Sequence, residues 1–231
     1  MSSQRSAQQA PLHGITVLDL AQVVSGPLAT RNLADLGANV IKIEKPRTGD
    51  IMRGLNGKDP AIFHVVNRNK RSVVLDLCQE QGRLILYRLL VSLPVDVVVH
   101  NIRDKGARKL GIDAASLLAV KKDLIVLEIN GYGETGPMSQ RRAYDPHVQA
   151  VSGLMAIQSS PDTTGRMVPH AVRTLIPDAV TSLTASEAII AALFRRERWC
   201  ICVRVSLYLF VTDSSMVYAC MIVTTVVCTR A

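Results

Sequence analysis

The sequence predicts an α/β fold: a Rossmann-like, mostly parallel sheet with helices on both faces. Short apolar runs of strand length alternate with stretches of helical spacing, and glycine or proline marks the junctions between them. Alternation at this spacing implies parallel strands joined by crossover helices. A hydrophobic content of 48% against 20% charged residues supplies enough apolar side chain for a full core.

The first unit spans 15–44. "ITVLDLA" (15–21) has a strand's apolar density, and "SGP" turns the chain. Pro27 suits the first turn of a helix, "LATRNLADLG" (28–37) continues it, and Gly37 ends it. "NVIKIE" (39–44) is the second strand. After a loop rich in Gly, Asp and Pro (46–60), "RSVVLDL" (71–77) is the third. A helix over about 80–92, the strand "VDVVVHN" (95–101), a basic helical segment and the strand "DLIVLEING" (123–131) follow. "DPHVQAVSGLMAI" (145–157) reads as helix and "QSSPDTTGRMVPH" (158–170) as a polar loop. A long helix then fills 174–198. Beyond 200 the chain is apolar and nearly uncharged. Arg204 and Asp213 interrupt it as a membrane span, so a buried strand–helix continuation is expected there.

Composition narrows the function. Aromatics at 4% argue against a stacking platform for single strands of nucleic acid. A net charge of +8 favours anionic partners without choosing among small phosphorylated ligands, nucleic acid and membrane. Four of the five cysteines (Cys200, Cys202, Cys220, Cys228) lie near the C-terminus at spacings that match no zinc pattern. They read as buried free thiols, with no metal site. Residues 1–13, rich in Ser and Gln, read as a disordered start without a secretory signal. A cytoplasmic location is expected, with a mitochondrial one as alternative.

Ligands in open α/β sheets gather at the carboxyl ends of the strands. The turns closing "LAQVVSGP", "VVVHNIRDKG" and "EINGYGETGP" therefore belong to one candidate site. No GxGxxG follows the first strand and no P-loop is present, which weakens dinucleotide and ATP readings. Asp178 stands at the mouth of the long helix, and spacing leaves it either an N-cap or a catalytic carboxylate.

Five segments occur in register: "GITVLDLAQVVSGPLATRNLADLGANVIKIEKPRTGD", "NRNKRSVVLDL", "VVVHNIRDKGARKLGID", "INGYGETGPMSQRRAYDPHVQAVSGLM" and "IPD" before its helix. Together they closely resemble the family III (CaiB/BaiF-type) CoA-transferases, from about Gly14 to Arg198, with an echo in "VRVSL" (203–207). The resemblance implies a large domain over 14–198 and a divergent apolar tail over 199–231. It implies Asp178 as the nucleophile that attacks an acyl-CoA thioester, giving an acyl–aspartyl anhydride and later an aspartyl-CoA thioester. An aspartate is ionised at neutral pH and needs no separate base. CoA, a substrate rather than a resident cofactor, is expected at Val24, Ser25, Lys45, Leu75, Asp76, Leu77, Cys78, Asn101, Ile102, Arg103, Lys109, Arg142, Ala143, Tyr144 and Asp145. Lys45, Arg103, Lys109 and Arg142 are the cations suited to its phosphates.

Expected partners are an acyl-CoA, short or dicarboxylic, and an acceptor carboxylic acid, with neither nucleic acid nor membrane. The family implies a homodimer. Three departures from the family pattern stand out. Val24 replaces a glutamine of the first turn, Cys78 replaces a lysine, and "WCICVRVSL" replaces a "TGxGQ"-like turn. With the chain ending at Ala231, the sequence reads as a truncated form that cannot close the family's interlocked dimer. The alternatives are a 2-methylacyl-CoA racemase-like enzyme, which needs a paired acid and base, and a non-catalytic CoA-binding or partner-binding domain.

Overall fold

The computed structural model describes residues 10–54, 60–133, 136–199, 204–210 and 220–224, the last two segments by their backbone alone. The strands are β1 (Thr16–Asp19), β2 (Asn39–Glu44), β3 (Lys70–Val74), β4 (Val95–His100), β5 (Ile125–Asn130), β6 (Ser160–Pro161), β7 (Met167–Val168), β8 (Arg204–Phe210) and β9 (Cys220–Thr224). The helices are α1 (Ser25–Asp35), α2 (Ala61–Asn67), α3 (Glu80–Ser92), α4 (Asp104–Leu110), α5 (Ala114–Val120), α6 (Asp145–Val151), α7 (Leu154–Ile157) and α8 (Ile176–Trp199).

The main sheet runs in the order β3-β2-β1-β4-β5-β8-β9. Every pairing is parallel except β8 with β9. Successive side chains of a strand point to opposite faces, which divides the core in two. Val17, Val97, Val99, Ile125 and Leu127 meet α1 and α8 through Ala29, Leu33, Ala185 and Ile189. Leu18, Val98 and Val126 meet α3, α4 and α5 through Leu86, Leu90, Ala107 and Leu117. Asp96 sits at an irregularity in the β1–β4 register, accepts the Thr16 amide at 2.8 Å and pairs with Arg196 at 2.7 Å. Those bonds tie the far end of α8 to the sheet. The α/β expectation with helices on both faces holds. α8 is the one described helix long and apolar enough to cross a membrane, and its apolar side is the core contact with α1.

Local expectations need five corrections. The third strand stops at Val74, because the chain leaves β2 there and turns into α3. The basic helical segment is two helices, broken where Gly111 takes φ +66° and Asp113 caps α5 by accepting the Ser116 amide. The 145–157 helix is likewise broken at Gly153, φ +78°. The polar loop after it closes into the β6–β7 hairpin. Residues 10–13, expected within the disordered start, form a turn whose Leu12 is buried in the core and donates its amide to Leu36. Residues 1–9 and the side chains of the four C-terminal cysteines lie outside the described residues, and the main sheet runs on past residue 198 through β8.

Candidate active site

Strand order reverses between β1 and β4, and the crevice at such a point is where open α/β sheets bind ligands. A cavity of about 370 Å³ opens there. Its walls are residues 22–25 after β1, Asn101–Arg103 after β4, the end of β5 at Ile129–Gly131, the segment Arg141–Asp145 and the first turn of α8. Gly131 lets the 141–145 segment lie on β5, since a Cβ there would come within 2.0 Å of the Ala143 Cβ.

The β1–α1 turn is strained. Val23 has φ +70°, a left-handed conformation that a β-branched residue adopts only at a cost of about 1–3 kcal/mol. Surrounding bonds hold it there. The Asn101 side chain accepts the Gln22 amide at 2.9 Å and donates to the Gln22 carbonyl at 2.7 Å. Asp50 accepts the Val23 amide at 3.1 Å. The outcome is that Val24, Ser25 and the N-terminal end of α1 face the cavity.

Asp178 lies in the first turn of α8, which begins two residues earlier at Ile176, so it is past the cap position. It is partly buried and lines the cavity. Burial, and next the charge of Asp145, push its carboxyl up to about 6, against the opposing hydrogen bond from Ser25. At pH 7 it is still mostly carboxylate. The cavity also holds three arginines, Arg103, Arg141 and Arg142, and Arg103 is anchored by donating to the Gln140 carbonyl at 2.8 Å. Among the described residues, none forms an ion pair with Asp178. Asp145 is buried: one carboxylate oxygen accepts the Asp178 amide at 3.2 Å, the other the Gln149 side chain at 2.5 Å. Gln149 in turn accepts the Val172 amide at 2.8 Å, so α6 fixes the approach to α8.

Of the residues expected at the site, the fold gathers Val24, Ser25, Asn101, Ile102, Arg103, Arg142, Ala143, Tyr144, Asp145 and Asp178 around this one cavity. The others stand apart. Lys45 is exposed on a separate depression with Arg47, Arg53 and Ser72. Leu75, Asp76, Leu77 and Cys78 form the turn between β3 and α3, and Lys109 is exposed on α4. Sequence reasoning missed Gln22, Ile51, Arg141 and Thr181, which also line the cavity. Gln22 and Arg141 adjoin residues that were singled out; Ile51 comes from a loop that offered no signal. Among the described residues, no cluster of three His, Cys, Asp or Glu could hold a metal.

A buried ionic cluster, also missed, lies beneath the turn. The Lys70 ammonium is 2.8 Å from Asp19, and the Lys42 ammonium is 2.9 Å from Asp50 and 3.7 Å from Asp19. Burial alone would raise the Asp19 carboxyl, but Lys42 and Lys70 hold it below its ordinary value. Burial brings Lys70 down to about 8 despite Asp19, while Asp19 and Asp50 outweigh burial and raise Lys42.

A sequence model of the family described as CoA-transferase family III matches residues 12–225. The chain is 37% identical over 201 residues to a succinate–glutarate CoA-transferase of Agrobacterium fabrum, covering 83% of this chain and 49% of that protein. It is 38% identical to a mouse succinyl-CoA:glutarate CoA-transferase, covering 81% and 43% respectively. The chain thus spans about half the length of the curated relatives it matches. Among solved structures, a hypothetical protein (Rv3272) from Mycobacterium tuberculosis superposes with a TM-score of 0.78 at 33% identity, over 86% of this chain and 55% of that one. A CaiB/BaiF family protein from Brucella suis gives 0.77 at 36% identity, over 85% and 52%.

Proposed function

The chain belongs to CoA-transferase family III, and on that premise we propose that it moves CoA between a short or dicarboxylic acyl-CoA and an acceptor carboxylic acid, with Asp178 as nucleophile. A carboxylate oxygen of Asp178 attacks the thioester carbonyl carbon. The carbon–sulfur bond breaks, and CoA leaves as a thiolate with the electron pair, giving an acyl–aspartyl anhydride. The thiolate returns to the aspartyl carbonyl and releases the first acid. The acceptor carboxylate then attacks the resulting aspartyl thioester, the freed thiolate takes the acyl group from the new anhydride, and Asp178 is regenerated. Because each intermediate stays activated, no step needs an external energy source, but water has to be kept out.

The observation that carries this reading is the Asp178 carboxylate, partly desolvated and without an ion-pair partner among the described residues, beside the N-terminal end of α1. Less solvation makes it a stronger nucleophile than a surface aspartate. The amides at that helix end favour the negative charge of the attacked carbonyl oxygen. Arg103, Arg141 and Arg142 supply cations for the phosphates of CoA or the distal carboxylate of a dicarboxylic acid. The glutarate and succinate in the names of similar proteins support the dicarboxylic class.

Intact-protein mass spectrometry after incubation with succinyl-CoA, with hydroxylamine trapping, tests the proposal. An adduct on the wild-type chain, absent from Asp178→Ala, is the expected result. A folded wild-type chain that forms no adduct would refute it. Deuterium entering Cα of the acyl group without transfer would point to racemisation instead.

A further inference from the structure

The buried cluster under the β1–α1 turn is not part of the chemistry above, yet its contacts converge on the turn that carries Ser25. Lys42 donates to the Ala21 carbonyl at 2.8 Å, just before the left-handed Val23. Lys70 donates to the Pro27 carbonyl at 2.7 Å, just after Ser25. Asp19 accepts the Ala21 amide at 2.9 Å and the Thr30 hydroxyl at 2.9 Å. Asp50 accepts the Val23 amide at 3.1 Å and the Met52 amide at 3.0 Å. Glu44 fixes the other side of Asp50 by accepting its amide at 3.0 Å, and is itself held by Arg53 at 2.6 Å. Ile51, between the two amides that hold Asp50 in place, lines the cavity.

We propose that Asp50, oriented by Lys42, is a positioning residue: it clamps the Val23 turn in its left-handed form and so keeps Ser25 and the start of α1 against the Asp178 carboxylate. Hydrophobic residues of similar volume could fill the same space, and buried ion pairs are poor sources of stability compared with such packing. What apolar residues cannot do is accept the Val23 amide. That amide points away from the regular hydrogen bonding of β1 and α1, and Asp50 is its partner. The clamp also joins two walls of the cavity, residues 22–25 and Ile51, through one carboxylate.

The test uses the full 231-residue chain with Asp50→Ala and Lys42→Met. Two readouts need no acyl-CoA. Hydrogen exchange at the Val23 amide should accelerate at least about tenfold in Asp50→Ala, while the core strand amides of Val98 and Val126 keep their protection. The 13C titration of the Asp178 carboxyl, whose neighbours are Ser25 from α1, Asp145 from α6 and the three cavity arginines, should move upward from about 6 as Ser25 withdraws. Lys42→Met should move both in the same direction by less, and it decides the matter if Asp50→Ala does not fold. Unchanged Val23 exchange and an unchanged Asp178 titration in a folded variant would overturn the clamp. A third readout rests on the proposed transfer reaction: adduct formation on Asp178 should slow about tenfold in Asp50→Ala. A wild-type chain that forms no adduct defeats that reaction alone, and the first two readouts still decide the clamp.

Discussion

Two pairs of aspartates lie near the β1–α1 turn and are treated in opposite ways. Asp19 and Asp50 are buried with two lysines, and Asp19 is held below its ordinary range. Asp145 and Asp178 are set against each other with a hydroxyl and a glutamine as neighbours, and Asp178 is pushed up to about 6. Residue type is the same in both pairs. The difference lies in where the cations are: they are in contact with the carboxylates that hold the backbone and out of contact with the one proposed to react. A carboxylate locked to an ammonium makes a good strut and a poor nucleophile.

The sharpest way to break this contrast is to exchange the roles. Asp178→Ala should abolish acyl adduct formation, read by intact mass, and should not lower the urea midpoint at neutral pH. Asp19→Ala should act chiefly on stability. It strands the buried Lys70 ammonium and leaves Lys42 with Asp50 alone, so a stability loss of about 3–5 kcal/mol is expected in urea unfolding. If Asp19→Ala were neutral, the cluster would not be a strut at all.

The pH dependence of stability separates the pairs next. Asp178 has a folded value of about 6 against an ordinary 3.8, so the stability it contributes is present below 3.8 and is lost as pH rises through about 6. Asp178→Asn removes that loss, so the variant should gain on the wild type between pH 4 and pH 6 in denaturant midpoints. Glu44, lowered from 4.5 to about 2 by its bonds to Arg53 and Ser72 against the pull of burial, runs the other way. Its contribution is present above 4.5 and is lost as pH falls through about 2. Smaller again, Asp145→Asn keeps an acceptor for the Asp178 amide but removes the facing charge. The Asp178 titration should fall from about 6 toward the ordinary carboxylate range, and the acid limb of adduct formation should follow it. Ser25→Ala should have the least effect, a slight rise in the same midpoint and a few-fold slower adduct formation.

Much of the scaffold was legible from residue order alone. Apolar runs at βαβ spacing, Pro27 opening α1 and Gly37 closing it are local signals, and the strands and helices they mark are present in the structure. The turns at strand ends were legible for the same reason, which is why Val24, Ser25, Asn101 to Arg103 and Arg142 to Asp145 fall at one cavity. Element ends were less legible: Gly111 and Gly153 end helices through backbone conformations that apolar periodicity does not register.

What the sequence alone determined was thus the set of strands and helices and the turns that carry polar residues, because each depends on neighbours a few positions away. Only the tertiary structure decided which charges meet. Lys42 is 23 residues from Asp19, Lys70 is 51 away and Asp178 is 33 from Asp145. In sequence these are ordinary charged residues. Parallel strand order brings β2 beside β1 and β3 beside β2, and packing sets α6 beside α8, so that two lysines reach one pair of aspartates and, among the described residues, none reaches the other. Electrostatic character follows distance in space, and distance in space is fixed by packing.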